Sequence, residues 1–304
     1  MAEGARAPGG GARCWLVAPA NLLARGVARL PQGALLATGR MLHALARPLL
    51  RSRRRIAARN IALCFPQLDA QAQAALVEAT MRDSVIGVLE SLKGWFGRDR
   101  DLRELFTVEG LEHLRVARAG GRGALVVAAH WTHVELAARL MTLALREPTT
   151  LIGRRHNDPC MERFLKGARA SGFSEMIDKK DGRSLVRALS SGAAVFWAGD
   201  QDFNYRNAFV PFFGVAAATV SVMTQLGQRA DAAVVPLSFE RGDDGRYRMT
   251  FWPEWKPLPP AEDAARYMAW LEQRVRRHPS QYLWVHRRFK TRPPGEPDLY
   301  ARDG

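Results

Sequence analysis

Short apolar runs alternate with segments of helical periodicity through the larger, C-terminal part of the chain. GALVVAA (123–129), TTLIG (149–153), AAVFWAG (193–199) and AAVVPLSF (232–239) are continuous and flanked by turn residues, the pattern of strands buried on both faces. Between them, 133–146, 159–171, 181–191 and 219–229 repeat apolar positions at helical spacing. YRMTFWP (247–253) predicts one more strand and 260–278 a late helix. Such alternation predicts an α/β fold with a mixed, largely parallel sheet flanked by helices. Ligands in these sheets bind beyond the carboxyl ends of the strands, so the residues that follow each apolar run are the candidates for chemistry.

The first part of the chain has a different texture. Residues 56–96 read as helix, interrupted at CFPQLD (64–69), where Pro66 breaks the helix and Asp69 offers a fresh N-cap. In the second helix Leu76, Met81, Ile86, Val88, Leu89 and Leu92 supply an apolar face. Upstream, CWLVAPANLLA, LPQGALLATG and MLHALA alternate with single arginines. Residues 1–13 (MAEGARAPGGGAR) have the composition of a disordered tail. Three units follow: a tail over 1–13, a basic amphipathic helical segment over 14–55, and a catalytic domain over 56–304.

Charge sharpens that division. The 304 residues carry 45 Lys and Arg against 30 Asp and Glu, a net +15. Eleven of the arginines and one acid, Glu3, fall within the first 60 residues. A block of this kind meets nucleic acid or an anionic membrane surface, or it keeps the protein soluble. The interleaved apolar segments favour the membrane, and no nucleic-acid-binding motif presents the arginines, so no nucleic-acid partner is expected. The longest uncharged run, 14–24, reaches only about 16 Å as a helix, roughly half a bilayer's hydrocarbon core. Interfacial anchoring is the reading; a marginal span helped by snorkelling arginines and a solvated basic face remain alternatives. Cys14, Cys64 and Cys160 form no C-x-x-C pair, which suggests neither a zinc knuckle nor a disulfide framework, and predicts reduced thiols.

His130 follows the first apolar run directly, with Glu135 five residues on. On a continuous helix the two side chains stand about 140° apart, so they meet only if His130 lies in the strand-to-helix turn and the helix starts near Thr132. An imidazole there can act as general base on a hydroxyl, with a carboxylate orienting it. Thr132-x-x-Glu135 also reads as a capping box. His133 competes for the base role from the first helical turn. A second cluster, RRHNDPCMERFLKGARASGF, offers Arg154 and Arg169 for phosphate or a developing oxyanion, or for a helix C-terminus. Asp200 and Asp202 follow the FWAG run and read best as pocket organisers. The uncharged stretch 208–221, with Phe209, Phe212 and Phe213, suits an acyl chain or a core loop. WVHRRFKTR interleaves Arg287 and Arg288 with aromatics, a pattern able to grip phosphate. No third residue follows at metal-ligand spacing, so no metal is expected.

With those clusters in view, the chain from about Arg54 to Tyr300 resembles the late (secondary) acyltransferases of lipid A biosynthesis, the lauroyl/myristoyl transferase type of Gram-negative bacteria. ARNIALCFPQL, HWTHVE with its H-x4-D/E spacing, RRHNDP followed by GAR, AGDQDF, VPFFG and QYLWVHRRFKTRPPGEPDLY occur in the family's order. The resemblance implies a glycerolipid acyltransferase-like fold and transfer of an acyl chain from acyl carrier protein to a hydroxyl of a lipid A precursor of the Kdo-lipid IVA type, at the cytoplasmic face of the cell inner membrane. It implies His130 as general base with Glu135 as its partner, Arg169 and Asp200 as further site residues, anionic membrane lipid as a partner, and no cofactor beyond the acyl-carrier co-substrate. The family's N-terminal anchor is here shorter and cut by Arg25, Arg29 and Arg40, so attachment is expected to be peripheral or N-terminal. The same chemistry on a lysophospholipid or other glycolipid is the alternative, and a non-catalytic basic binding protein the more distant one.

Overall fold

The computed structural model describes Cys14, residues 17–170 and residues 172–301; the tail expected over 1–13 lies outside the described residues. Four helices come first: α1 (Val17–Ala28), α2 (Gln32–Ala46), α3 (Arg51–Cys64) and the long α4 (Ala70–Phe96). Then follow α5 (Asp99–Arg103), β1 (Phe106–Glu109), α6 (Leu111–Ala117), β2 (Ala124–Ala128), α7 (Val134–Leu145), β3 (Thr149–Gly153), α8 (Pro159–Arg169) and β4 (Phe173–Asp178). The chain continues through α9 (Gly182–Ser190), β5 (Ala194–Ala198), β6 (Asn207–Phe212), β7 (Val215–Val220), α10 (Met223–Arg229), β8 (Ala233–Arg241), β9 (Tyr247–Phe251) and α11 (Pro260–Arg277).

Seven strands form the main sheet in the order β1-β9-β8-β2-β5-β3-β4. The run β8-β2-β5-β3-β4 is parallel, while β9 pairs antiparallel with β8 and carries β1 beside it. β2 and β5 are covered on both faces, which is why ALVVA and AVFWA carry no polar residue. The chain leaving β2 crosses by α7 to β3 on one side, and the chain leaving β5 returns to β8 on the other. A crevice therefore opens above the carboxyl ends of β2 and β5. Their register pairs Ala128 with Ala198, so the residues two positions beyond each strand emerge side by side.

The α4 helix backs this crevice. Asp69 caps it as its sequence predicts, accepting from the Ala72 amide at 2.7 Å. Its packed face is less apolar than the pattern suggests: Met81, Ile86 and Leu89 are buried, but so are Asp83, Glu90 and Lys93, and Val88 is exposed. The polar members are matched from outside the helix, as Arg241 donates to Asp83 at 2.6 Å and to Glu90 at 2.7 Å. Two glycines, two turns apart, bring α4 hard against the crevice. A Cβ at Gly87 would lie 2.1 Å from the Thr132 carbonyl oxygen, and one at Gly94 would lie 3.0 Å from the Leu136 Cα.

Three expectations are corrected. The uncharged stretch 208–221 is a hairpin of β6 and β7, turned at Phe213 (φ 52) and Gly214 (φ 76). The helix expected from 219 begins only at Met223, because Thr219 and Val220 pair with Ala208 and Asn207. Cys14 and Cys160 are joined by a disulfide with Cα atoms 5.1 Å apart, and only Cys64 is a free thiol, buried in the core. α1 packs beside α8 and brings together residues 146 apart, a proximity that cysteine spacing does not encode.

The basic N-terminal segment is helical, as expected, and it docks on the domain. Leu35 and Leu36 of α2 pack with Ile86 and Leu89 of α4. Among the described residues no helix is long and apolar enough to cross a membrane.

Candidate active site

His130 and Asp200 emerge at equal height from β2 and β5 and meet. The His130 Nδ1 lies 2.8 Å from Asp200 Oδ1, and the His130 backbone N–H donates to the same oxygen at 2.8 Å. Tyr267, on α11, ties the two strand ends together beneath them: its hydroxyl donates to the Ala128 carbonyl at 2.6 Å and accepts from the Gly199 amide at 3.2 Å. Burial alone pushes the Asp200 carboxyl up, but the charge and hydrogen bonds of His130 outweigh it and hold Asp200 below the usual carboxylate range. An ionised Asp200 takes the Nδ1 proton of the imidazole in its hydrogen bond, which leaves Nε2 as the acceptor.

The turn carrying His130 is held from the C-terminal side of the chain. The Thr132 amide donates to the Gln281 carbonyl at 2.8 Å, the Leu283 amide donates to the His130 carbonyl at 3.0 Å, and Trp131 bridges to Tyr282. α7 accordingly starts at Val134, with His133 in the cap position and no side-chain cap. The capping box expected between Thr132 and Glu135 is absent, since the Thr132 amide is already engaged.

Glu135 is not the hydrogen-bonding partner of His130. Both its oxygens are taken up by Arg169, which approaches with Nε at 3.2 Å from Oε2 and Nη2 on Oε1, while Trp95 Nε1 donates to Oε2 at 2.9 Å. Trp95 also lies beneath the Arg169 guanidinium, 5.9 Å from ring centroid to Cζ. The expected partnership thus divides into two pairs, His130 with Asp200 and Glu135 with Arg169. The reason is reach: α7 begins late and turns Glu135 toward α4 and α8.

His130, Glu135, Arg154 and Arg169 line one cavity of about 210 Å3, whose remaining wall is Val134, Ala138, Leu151, Ile152, Gly153, Met176, Phe196 and Ala198. A hydroxyl activated at His130 would therefore face an apolar wall on one side and a guanidinium on another. His133 is excluded from this chemistry, fully buried against the stacked rings of Phe239 and Tyr247. Burial and the nearby Arg241 charge hold its imidazole neutral, with its pKa well below the ordinary value. His286 lies behind the pair, and burial together with the His130 charge lowers it to about 4. Among the described residues no group of three His, Cys, Asp or Glu side chains converges as metal ligands.

The other expected contacts fall elsewhere. Phe212 and Phe213 are buried against Trp284, and Phe213 also against Phe65, so they are core rather than chain-binding surface. Phe209 is exposed, and none of the three phenylalanines lines the His130 cavity. Arg288 is buried and donates to the Ala218 carbonyl and Thr219 Oγ1 at 2.9 and 2.7 Å, which holds β7 and keeps the guanidinium inside the fold. Arg287 is exposed above the Tyr300 ring, and Arg154 sits at the cavity rim, donating to Asn157 at 2.7 Å. Trp95 and Tyr267 were not singled out from sequence, and Gln281 entered only as the first residue of a quoted block, with no role. Nothing local marks them, because each acts on residues at least 40 positions away.

An imidazole oriented by a buried carboxylate, open to a cavity beyond the carboxyl ends of two parallel strands, is an arrangement able to polarise a hydroxyl. A family model described as bacterial lipid A biosynthesis acyltransferase matches residues 11–291, and the chain belongs to that family. It is 37% identical over 277 residues, 90% of each chain, to the lipid A biosynthesis palmitoleoyltransferase of Escherichia coli (strain K12). To the lauroyltransferase of that strain it is 34% identical, covering 90% of this chain and 91% of the relative. The myristoyltransferase of the same strain is 26% identical, covering 83% of this chain and 80% of the relative.

Proposed function

We propose that this protein transfers a fatty acyl chain from acyl carrier protein to a hydroxyl of a lipid A precursor of the Kdo-lipid IVA type, at the cytoplasmic face of the cell inner membrane. The observation that carries this reading is the 2.8 Å contact of His130 Nδ1 with Asp200 beside an apolar cavity. His130 Nε2 takes the proton of the acceptor hydroxyl as its oxygen attacks the thioester carbonyl. Asp200 stabilises the imidazolium that forms. As the tetrahedral intermediate collapses, the C–S bond breaks and the thiolate recovers the proton from His130. Glu135 serves here by fixing Arg169, whose guanidinium supports the negative charge developing on the thioester oxygen. No metal or organic cofactor enters this sequence of steps.

The test is to supply acyl carrier proteins bearing different chains together with the tetraacylated, Kdo-bearing precursor, and to read products by mass spectrometry. A gain of one acyl group that vanishes in His130→Ala supports the assignment. No gain with any donor, from folded protein, sinks it and turns attention to lysophospholipid acceptors.

The same reading extends to membrane attachment. Leu22 and Leu23 of α1, Met41 and Leu45 of α2 and the following Leu49 are exposed, alongside Arg25, Arg29, Arg40, Arg47 and Arg51. Apolar side chains flanked by cations suit the interface of an anionic bilayer, and the net +15 also suits an acidic carrier protein. Co-sedimentation with phosphatidylglycerol-containing vesicles is expected. Its survival in Leu22→Asp/Leu49→Asp would remove this surface from consideration.

A further inference from the structure

The cavity at His130 does not end in a wall of backbone. It shares Leu151, Arg169 and Met176 with a second cavity of about 500 Å3, to whose lining the half-buried Phe173 adds a further apolar side chain. Arg155, Lys166 and Glu175, which also border this second space, are exposed. An apolar interior with charged side chains at its outer edge suits the far end of a hydrocarbon chain.

Met176 stands between the two. Its Sδ lies 3.3 Å from Arg169 Nη1, so the residue that braces Glu135 also braces the thioether. On the opposite side the thioether fills the space left by Gly153, where a Cβ would come within 3.0 Å of Sδ and 3.6 Å of Cγ. Met176 is thus held by one glycine and one guanidinium, in a side chain whose unbranched bonds let it swing without moving β4.

We propose that the two cavities are successive stretches of one acyl groove, and that Met176 is the partition between them that sets the length of chain the enzyme accepts. The proposal rests on the acyl-transfer reading given above and adds to it a distal subsite for methylene groups. Removing the partition opens the larger cavity to longer chains. Giving residue 153 a Cβ, which occupies space in the near cavity beside Met176, shortens the accepted chain.

A competition among lauroyl, myristoyl and palmitoyl carrier proteins, with products separated by mass, reads the chain-length ratio directly. In Met176→Ala the palmitoyl-to-lauroyl product ratio is expected to rise about tenfold or more over the parent, the size of discrimination a single methylene supports in an apolar pocket. Gly153→Ala is expected to move the ratio the other way. Melting curves establish that both variants are folded, and Gly153→Ala carries the test alone if Met176→Ala does not fold. Folded, active variants with the parent's ratio overturn the partition while leaving acyl transfer intact. A parent protein that transfers none of the three chains, nor palmitoleoyl or any other carrier-borne chain, overturns the acyl-transfer reading itself, a result the ratio cannot imitate.

Discussion

His130 and His133 stand three residues apart on one turn and face opposite surroundings. His130 is partly open to the cavity, with a side chain 23% exposed and a carboxylate on Nδ1. His133 is closed off, stacked among aromatic rings, with the Arg241 guanidinium nearby. The carboxylates behind the turn divide in the same way. Asp83 and Glu90 meet Arg241 in full burial, and Glu90 also accepts from the Tyr247 hydroxyl; Glu135 meets Arg169 where both side chains are about one-fifth exposed, 22% and 20%. Identical residue types thus make a sealed joint on one side of the turn and pairs open to a cavity on the other. Access and the sign of the neighbouring charge decide which.

His130→Ala should break the open side and leave the closed side standing. A loss of about 10^2–10^4 in kcat is expected from protein that still folds. His133→Phe, by contrast, should retain transfer; the reverse outcome in an acyl-transfer assay would invert the comparison. Next in size is Arg241→Ala, which strands two buried carboxylates and is expected to cost about 3–5 kcal/mol in urea denaturation. Arg169→Ala should cost clearly less stability, because water reaches its partner.

Acid sharpens the comparison further. An unfolded chain protonates His286 near its ordinary value of about 6.5, whereas the folded protein resists until about 4. A depressed histidine pKa means that the unfolded state binds more protons across that window, so stability falls as pH falls from 6.5 to 4, by up to about 3 kcal/mol. His133, lowered for the same reason, adds in the same direction. Melting curves between pH 7 and 4 should show this slope, and His286→Gln should flatten it. The smallest effect is that of Arg169→Lys, which keeps the charge but cannot span both Glu135 oxygens. Transfer is expected to drop about tenfold with little change in stability.

Much of the frame was legible because central strands of a parallel sheet must be continuously apolar. β2, β3, β5 and β8 were read within two residues of their observed ends for that reason. The edge strands β1 and β4 were not, since FTVE and FSEMID alternate with polar residues and are short. The β6–β7 hairpin was hidden by its uniform lack of charge, although Gly214 after two phenylalanines was a turn signal. His130, Glu135, Arg169 and Asp200, named by position after strands and by resemblance, do lie together in the fold. Their pairing was not, because it depends on strand register: Ala128 opposite Ala198 is what puts residue 200 rather than residue 135 against the imidazole.

The turn at His130 is fastened to residues 281–283, and this orders events during synthesis. At roughly 5–20 residues per second, the ribosome makes Asp200 on the order of ten seconds before Leu283. During that interval the nascent chain holds both His130 and Asp200 in its sequence, yet the loop that positions the imidazole is still unfastened. Alignment of the pair is a late event, set by the clock of translation rather than by the appearance of the two side chains.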